Sequence, residues 1–303
     1  VTADGVVVWD EGADQPLYTK NPHERFAPAS ITKIMTAVVA LERGDLEEVF
    51  PIETDAATLA FETESTTMGL YPGERLSLRN LLYGLMLPSG NDAAIEIARH
   101  IGGSESAFVE LMNQKAAELG MANTRYMNPH GLDHDDHYTT AYDMTLLGRF
   151  AMRVPGFAEI VRTRSRVFYG YEGRKLYALG NLDRLIGRDG YDGIKIGFTE
   201  NALSTYVGTA QRNGRRLYVT ILHSRGWVSD GQRLFDHFFS QPAPAAAPRS
   251  AQSSRGQTPG ASAADRSTGV SARLLVGLVG RDAREEEGWW AALRGLARSL
   301  GRG

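Results

Sequence analysis

Three short strings constrain this chain more than any other feature: Ser30-Ile-Thr-Lys33, Ser89-Gly-Asn91 and Lys195-Ile-Gly197, in that order. Together they supply hydroxyls, two amines and an amide. A serine hydroxyl becomes a strong nucleophile when a neighbouring base removes its proton. A lysine can be that base when burial or a nearby cation lowers its pKa. The combination therefore predicts acyl transfer through a covalent serine ester.

The first string lies where its chemistry needs it. Pro28 ends an extended segment, and the apolar run that follows predicts a buried helix over 30–43 with Ser30 in its first turn. A spacing of three residues places Ser30 and Lys33 on one helix face. Lys195 is a candidate for the second cation that lowers the pKa of Lys33.

The second string interrupts two apolar helical stretches. A tight loop between buried helices can present Ser89 to relay a proton and Asn91 to pair with a substrate amide. An ordinary helix cap is the alternative, because either side chain can satisfy the first N–H groups of the second helix.

The third string lies in an alternating, β-branched segment. Asn213-Gly214 downstream is a strong hairpin signal, so Lys195 is predicted on a strand that leads into a meander. Gly197 predicts a position that another part of the chain approaches closely.

At these residues the chain resembles the serine-type D-alanyl-D-alanine carboxypeptidases, the low-molecular-mass penicillin-binding proteins. The similarity covers residues 1 to about 240 and includes stretches beyond the three strings: Val6-Val-Val-Trp-Asp, Leu17-Tyr-Thr-Lys-Asn-Pro, Asn128-Pro-His-Gly-Leu, His137-Tyr-Thr-Thr-Ala-Tyr-Asp and Asp192-Gly-Ile-Lys.

The resemblance implies a role for each motif residue. Ser30 attacks the carbonyl between the last two D-alanines of a peptidoglycan stem peptide, with Lys33 as base. Ser89 helps carry the proton to the leaving D-alanine, and Asn91 holds the peptide. The backbone N–H groups of Ser30 and Phe198 hold the oxyanion. β-Lactams are expected to acylate Ser30, and neither a metal nor a cofactor is expected.

The chain departs from the family pattern after the motif lysine, where Ile196 replaces the usual threonine. The change removes a hydroxyl that helps bind the terminal carboxylate of the substrate. Lys195, Gly197 and Thr199 complete the predicted substrate-binding set. Arg225 is the predicted cation for that carboxylate, since guanidinium matches carboxylate geometry; a solvated surface arginine is the alternative.

The fold implied is α/β. An antiparallel sheet uses an N-terminal hairpin near residues 5–19 and strands near 192–222, flanked by helices such as 30–43 and 227–239. A mostly helical insertion over about 50–155 carries the second string, and the cleft lies between that insertion and the Lys195 strand.

The catalytic domain is predicted to span residues 1–240, and the composition changes after it. Residues 241–273 are rich in Ala, Pro, Ser and Gly and are predicted to be a disordered linker. Residues 274–303 can form a basic amphipathic helix that contacts a membrane interface; a frayed or partner-docked tail is the alternative.

The remaining features bear on location and partners. The chain has no cysteine, which fits an exported protein. It opens with Val1 and no signal peptide, so the export signal has been removed or the chain is a fragment. Residues 243–303 carry nine Arg against five Asp and Glu, which makes the preceding part the acidic one and argues against nucleic acid as a partner. We expect an extracytoplasmic bacterial protein.

Three other interpretations remain open. A class A β-lactamase shares the motif order but needs a Glu-x-x-Leu-Asn string, and none occurs between Asn91 and Lys195. A non-catalytic wall-binding protein on the same scaffold is motivated by Ile196. The loop 130–137, rich in His and Asp, resembles a metal site, but a solvated turn explains the same residues.

Overall fold

The computed structural model describes residues 1–171 and 173–244. Its centre is a five-stranded antiparallel sheet of order β2-β1-β9-β8-β7. The strands are β1 (Gly5–Asp10), β2 (Gln15–Lys20), β7 (Tyr191–Thr199), β8 (Leu203–Arg212) and β9 (Arg215–Ser224). The predicted α/β fold is confirmed, and so are its N-terminal hairpin and its C-terminal meander.

The turn between β8 and β9 forms as its sequence predicts. Asn213 and Gly214 both have positive φ, 49° and 81°, and Arg212 pairs with Arg215 across the turn. Two consecutive residues with positive φ match the right-handed twist of the flanking strands. The turn thus fixes the register of the two central strands.

Helices cover both faces of the sheet. The helices are α1 (Lys33–Arg43), α2 (Ala56–Thr63), α3 (Leu78–Met86), α4 (Asn91–Gly102), α5 (Glu105–Glu118), α6 (Ala141–Ala151), α7 (Phe157–Arg162) and α8 (Trp227–Ser240). In β1, Val7 belongs to the core shared with α1 and α6, whereas Val6 and Val8 belong to the core beneath α8. Because both faces are covered, every residue of β1 is buried.

The insertion over about 50–155 differs from its prediction in two respects. Helices α3, α4 and α5 pack on one another and on α1, but α6 packs on β1 and β9 and so belongs to the sheet layer. The insertion also contains a two-stranded ribbon, β3 (Val49–Pro51) with β4 (Arg75–Ser77). A second ribbon, β5 (Ser165–Tyr169) with β6 (Leu176–Gly180), follows it.

The predicted linker and amphipathic tail fall almost entirely outside the described residues, from residue 245 onward, and remain predictions. Within the described part, none of the helices has the length and apolar character needed to cross a membrane.

Candidate active site

Ser30 and Lys33 lie side by side at the start of α1. The structure corrects one detail of the prediction: Ala29–Thr32 form a 3₁₀ turn, and the α-helix begins only at Lys33. A 3₁₀ turn has three residues per turn, so side chains at i and i+3 lie directly above each other. Lys33 Nζ is accordingly 3.0 Å from Ser30 Oγ.

Lys33 is held by one further contact. Its Nζ donates to the backbone carbonyl of His130 at 2.6 Å, and the side chain is completely buried. Burial first, and then the positive charge of Lys195, hold the pKa of Lys33 well below its usual range, while Asp92 opposes this shift. A neutral amine donates its N–H to the carbonyl and keeps its lone pair for the serine proton.

Lys195 lies on β7, as predicted, and is 2% exposed. Burial lowers its pKa to about 7, and Asp183 opposes that shift. Its Nζ donates to the carbonyl of Ile196 at 3.1 Å. The sequence-based expectation that Lys195 acts on Lys33 as a nearby cation agrees with this electrostatic coupling.

Gly197 marks the close approach that its sequence position predicts. A Cβ added to Gly197 would lie 2.7 Å from the backbone nitrogen of Ser30 and 2.5 Å from Thr205 Oγ1. Only a glycine therefore lets β7 pass this close to the nucleophile turn. Phe198 and Thr199 follow on the same strand and face the cavity in front of Ser30.

Ser89 and Asn91 approach from the helical side. Ser89 has a φ of 65°, and Asn91 is the first residue of α4. The N-cap of α4 is Gly90, which makes no side-chain cap bond. Among the described residues, Ser89 Oγ and Asn91 Oδ1 are buried and have no hydrogen-bond partner. The helix-cap alternative is therefore not supported, and both atoms remain available to a substrate.

Sequence reasoning missed the segment Thr63–Thr66, which forms part of the same wall. The backbone N–H of Asn91 donates to the Thr66 carbonyl at 2.9 Å, and Thr66 Oγ1 donates to the Ser89 carbonyl at 2.9 Å. Just beyond this segment, the Asp92 carboxylate accepts the backbone N–H groups of residues 68–70 at 2.9 Å each. Asp92 directly follows Asn91, but no local sequence pattern indicates that it binds a segment more than twenty residues earlier in the chain.

One cavity of about 560 Å³ joins these elements. It is lined by predicted residues Ser30, Ser89, Asn91, Gly197, Phe198 and Thr199, and also by Ile196, His130, Leu182 and residues 63–66, 131–133 and 200. Lys33 lies behind Ser30 and reaches the cavity through that hydroxyl. Seven of the nine predicted site residues thus line the cavity or touch the nucleophile that does.

Arg225 is the site residue that the structure places elsewhere. Its exposed side chain lines a different cavity of about 260 Å³, with Thr2, Asp4 and His223. The reason is that Ser224 ends β9, which lies two strands away from β7 in the sheet. A contact between Arg225 and a substrate carboxylate is not supported by this placement.

The His- and Asp-rich loop 130–137 has structural partners instead of a convergent ligand set. His130 supplies the carbonyl for Lys33, and His137 Nε2 lies 3.0 Å from Thr32 Oγ1. Gly131 has a φ of 96°, and a Cβ added to it would lie 2.0 Å from the carbonyl oxygen of Ala29, so only a glycine fits here. Within residues 1–171 and 173–244, no three His, Asp or Glu side chains converge as a metal site would require. The loop holds the nucleophile turn from behind.

Comparison with known proteins finds a matching family and several relatives. The peptidase family described as D-alanyl-D-alanine carboxypeptidase matches residues 1–226. The chain is 37% identical over 228 residues to the D-alanyl-D-alanine carboxypeptidase DacB2 of Mycobacterium tuberculosis, covering 74% of this chain and 75% of that protein. It is 34% identical over 225 residues to DacF of Bacillus subtilis, covering 72% of this chain but only 57% of the relative. The chain thus spans little more than half the length of some relatives.

Solved structures show the same fold. The crystal structure of the Streptomyces K15 DD-transpeptidase superposes with a TM-score of 0.75 at 28% identity, covering 80% of this chain and 98% of that one. The D-alanyl-D-alanine carboxypeptidase DacD of Francisella tularensis superposes with a TM-score of 0.72, also at 28% identity, covering 79% of this chain and 71% of that one. The chain belongs to the serine D-alanyl-D-alanine carboxypeptidase family.

Proposed function

We propose that this protein is a serine D-alanyl-D-alanine carboxypeptidase, which removes the terminal D-alanine from peptidoglycan stem peptides and is acylated by β-lactams. The observation that carries the proposal is the 3.0 Å contact between Lys33 Nζ and Ser30 Oγ, made by a lysine whose pKa burial lowers. Family membership over residues 1–226 supports it.

Acylation begins when neutral Lys33 takes the proton of Ser30 Oγ. The oxygen attacks the carbonyl between the two D-alanines, and a tetrahedral oxyanion forms. The backbone N–H groups of Ser30 and Phe198 stabilise that oxyanion. A donor fixed in advance at such a position contributes about 3 kcal/mol in other enzymes.

Ser89 and Asn91 act on the other side of the scissile bond. Ser89 Oγ relays a proton from Lys33 to the departing nitrogen of D-alanine, and Asn91 pairs with a backbone amide of the peptide. Their buried, unpartnered atoms support these roles, because a bound peptide can supply the hydrogen bonds that no described residue makes. Water then hydrolyses the Ser30 ester, and no metal or cofactor takes part.

The terminal carboxylate lies nearest to β7 in this scheme. Lys195 supplies the positive charge behind the strand, Gly197 lets the substrate lie close to the backbone, and Thr199 offers a hydroxyl. Thr199 Oγ1 donates to Asp133 Oδ1 at 2.9 Å, so binding a carboxylate requires that hydroxyl to turn. Because peptidoglycan lies outside the cytoplasmic membrane, the protein acts on the extracytoplasmic side.

Trapping with labelled penicillin, run beside a D-alanine release assay, tests the proposal. The full chain is expected to form an adduct on Ser30 and to release D-alanine from a D-Ala-D-Ala tripeptide, whereas Ser30→Ala does neither. Ser106→Ala, which changes an exposed serine on α5, should behave as wild type.

Other results would assign a different function. No adduct on the wild-type protein would indicate the non-catalytic binder that Ile196 motivates. Rapid turnover of penicillin would indicate a β-lactamase. An adduct with transfer of the acyl group to an added amine, but no hydrolysis, would indicate a transpeptidase like the Streptomyces protein of the same fold.

A further inference from the structure

The mouth of the catalytic cavity is acidic. Three exposed carboxylates line it, those of Glu64, Asp133 and Glu200. Among the described residues, no arginine or lysine side chain lines the same cavity. A peptide that ends in a free carboxylate is repelled by such a rim unless it also carries a positive charge.

The three carboxylates come from opposite walls. Glu64 ends α2 with a φ of 51°, and its segment is tied to the Ser89 loop through Thr66. Glu200 follows β7 directly, and Asp133 is held to that strand by Thr199 Oγ1. A ligand between the walls therefore meets negative charge on both sides.

A second observation shows that the rim surrounds a binding site. Asn91 and Ser89 are only 3% and 4% exposed, line this cavity, and carry polar side-chain atoms with no partner among the described residues. Buried atoms of this kind call for a ligand that supplies the missing hydrogen bonds. The acidic rim lies where the outer part of that ligand emerges.

We propose that Glu64 and Glu200 bind a primary ammonium group on the substrate, so that the enzyme prefers stem peptides whose residue before the two D-alanines has a free side-chain amine. The inference rests on the proposed function and adds a substrate preference to it. Apolar Phe198 and Leu182, 66% and 43% exposed in the same cavity, fit the methylene chain that carries such an amine.

The test compares three tripeptides of the form Nα-acetyl-lysyl-D-alanyl-D-alanine. Their side-chain amines are free, acetylated or succinylated, which gives a positive, neutral or negative group on one scaffold. For the wild-type full chain we expect kcat/KM for D-alanine release to be about fivefold higher for the free amine than for the acetylated peptide, the range of exposed ion pairs. The succinylated peptide should be the poorest.

Glu64→Gln with Glu200→Gln should bring the three peptides to within twofold of one another. The free-amine peptide loses its attraction to the rim, whereas the acetylated and succinylated peptides are repelled less and should be cleaved as fast as by wild type or faster. Asp133 is kept because its change would also remove the Thr199 contact. Glu62→Gln is the control for the change at Glu64. It removes one carboxylate two residues before Glu64, at an exposed position on α2 that does not line the cavity.

Equal rates for the three peptides with the wild-type protein would overturn the inference. So would an equal loss of preference in Glu62→Gln, because the general field of the protein would then be responsible. An incoming acceptor strand also carries an ammonium group. An added amine acceptor can give a transfer product with the acetylated donor peptide. If only that reaction depended on Glu64 and Glu200, the two carboxylates would bind the acceptor, and the proposal that they bind the amine of the donor peptide would be wrong. If every variant still releases D-alanine from the acetylated peptide, the proposed carboxypeptidase activity stands even where the preference for an amine is disproved.

Discussion

The two walls of the cavity differ in how their polar atoms are satisfied. On the nucleophile wall, formed by residues 29–33 and β7, Ser30 Oγ, Lys33 Nζ and Lys195 Nζ all have partners before any ligand arrives. On the amide wall, formed by residues 63–66 and 89–91, Ser89 Oγ and Asn91 Oδ1 are buried without partners in the described part of the chain. The first wall is complete in advance, whereas the second is completed by its ligand.

The difference has an energetic consequence. An unpaired buried polar atom costs about 1–3 kcal/mol of folding free energy. The amide wall therefore lowers stability in exchange for binding, a pattern typical of functional sites. On the nucleophile wall the cost is that of burying an amine. Burial lowers the pKa of Lys33 and so favours its neutral, reactive form.

The largest effect is expected on the nucleophile wall. Lys33→Met keeps an unbranched side chain in the buried site but removes the base, and general-base catalysis contributes about 10³-fold. The second-order rate constant for acylation by labelled penicillin should fall by that factor. Lys115→Met, which replaces a lysine paired with Glu42 and Glu118 on α5, should leave the rate within twofold of wild type. A loss of less than tenfold in Lys33→Met would mean that another group activates Ser30.

On the amide wall, activity and stability should move in opposite directions. Ser89→Ala removes the proposed proton relay, so kcat/KM for D-alanine release should fall about 10²-fold. It also removes an unpartnered atom, so the free energy of unfolding should stay the same or rise by about 1 kcal/mol.

Ser224→Ala is the matched control for that variant. Ser224 is also buried, but its Oγ donates to Asp230 at 2.8 Å and accepts the N–H of Gly226. This change should lower the free energy of unfolding by about 1–2 kcal/mol and leave kcat/KM unaffected. Chemical denaturation of both variants measures the contrast. If Ser89→Ala were the less stable of the two, the amide wall would not be the incomplete one.

Gly197→Ala tests how closely the nucleophile wall is packed. The new Cβ would lie 2.7 Å from the Ser30 nitrogen, so β7 or the nucleophile turn must move by several tenths of an ångström. We expect acylation to slow about tenfold, because a shift of about 1 Å can cost 10²-fold. Stability should fall by about 1–3 kcal/mol.

Gly180→Ala is the control, since a Cβ on this β6 glycine meets no described atom within 4 Å. It should change neither the acylation rate nor the unfolding midpoint by a measurable amount. An unchanged acylation rate in Gly197→Ala would show that the contact with Ser30 is not needed to position the nucleophile.

The nucleophile wall was largely predictable from sequence, and the amide wall was only partly so. Ser30 and Lys33 are three residues apart, so local helix geometry alone brings them together. The Asn213-Gly214 turn likewise fixes its hairpin through local backbone preference. In contrast, the bonds that place residues 63–66 beside Ser89 join positions more than twenty residues apart, and no local pattern encodes them.

The placement of Arg225 outside the catalytic cavity follows from strand order. Its distance in sequence from Lys195 is modest, but the strand order β9-β8-β7 decides which side chains share a cavity. The consecutive hairpins β7-β8 and β8-β9 put the end of β9, and Arg225 after it, two strands away from β7. Sequence patterns identify strands more reliably than they identify neighbours.

The smallest effect is expected at the boundary between cavity and core. Ile196 lines the cavity, pairs with Tyr206 across β7 and β8, and packs against the core beneath α8. Ile196→Thr introduces a hydroxyl on β7, where the substrate carboxylate is proposed to lie. A neutral hydrogen bond contributes on the order of 1 kcal/mol, so kcat/KM on a D-Ala-D-Ala peptide should rise severalfold.

Ile196→Val separates the hydroxyl from the loss of volume, because valine has nearly the shape of threonine without its polar atom. Both variants should lose about 1 kcal/mol of stability from the reduced packing against the core beneath α8, but only Ile196→Thr should gain activity. Equal activity in the two variants would assign any gain to added space in the cavity. A fall of kcat/KM in both variants would mean that the apolar side chain of Ile196 itself contacts the substrate. In that case the nucleophile wall would need no hydroxyl at this position.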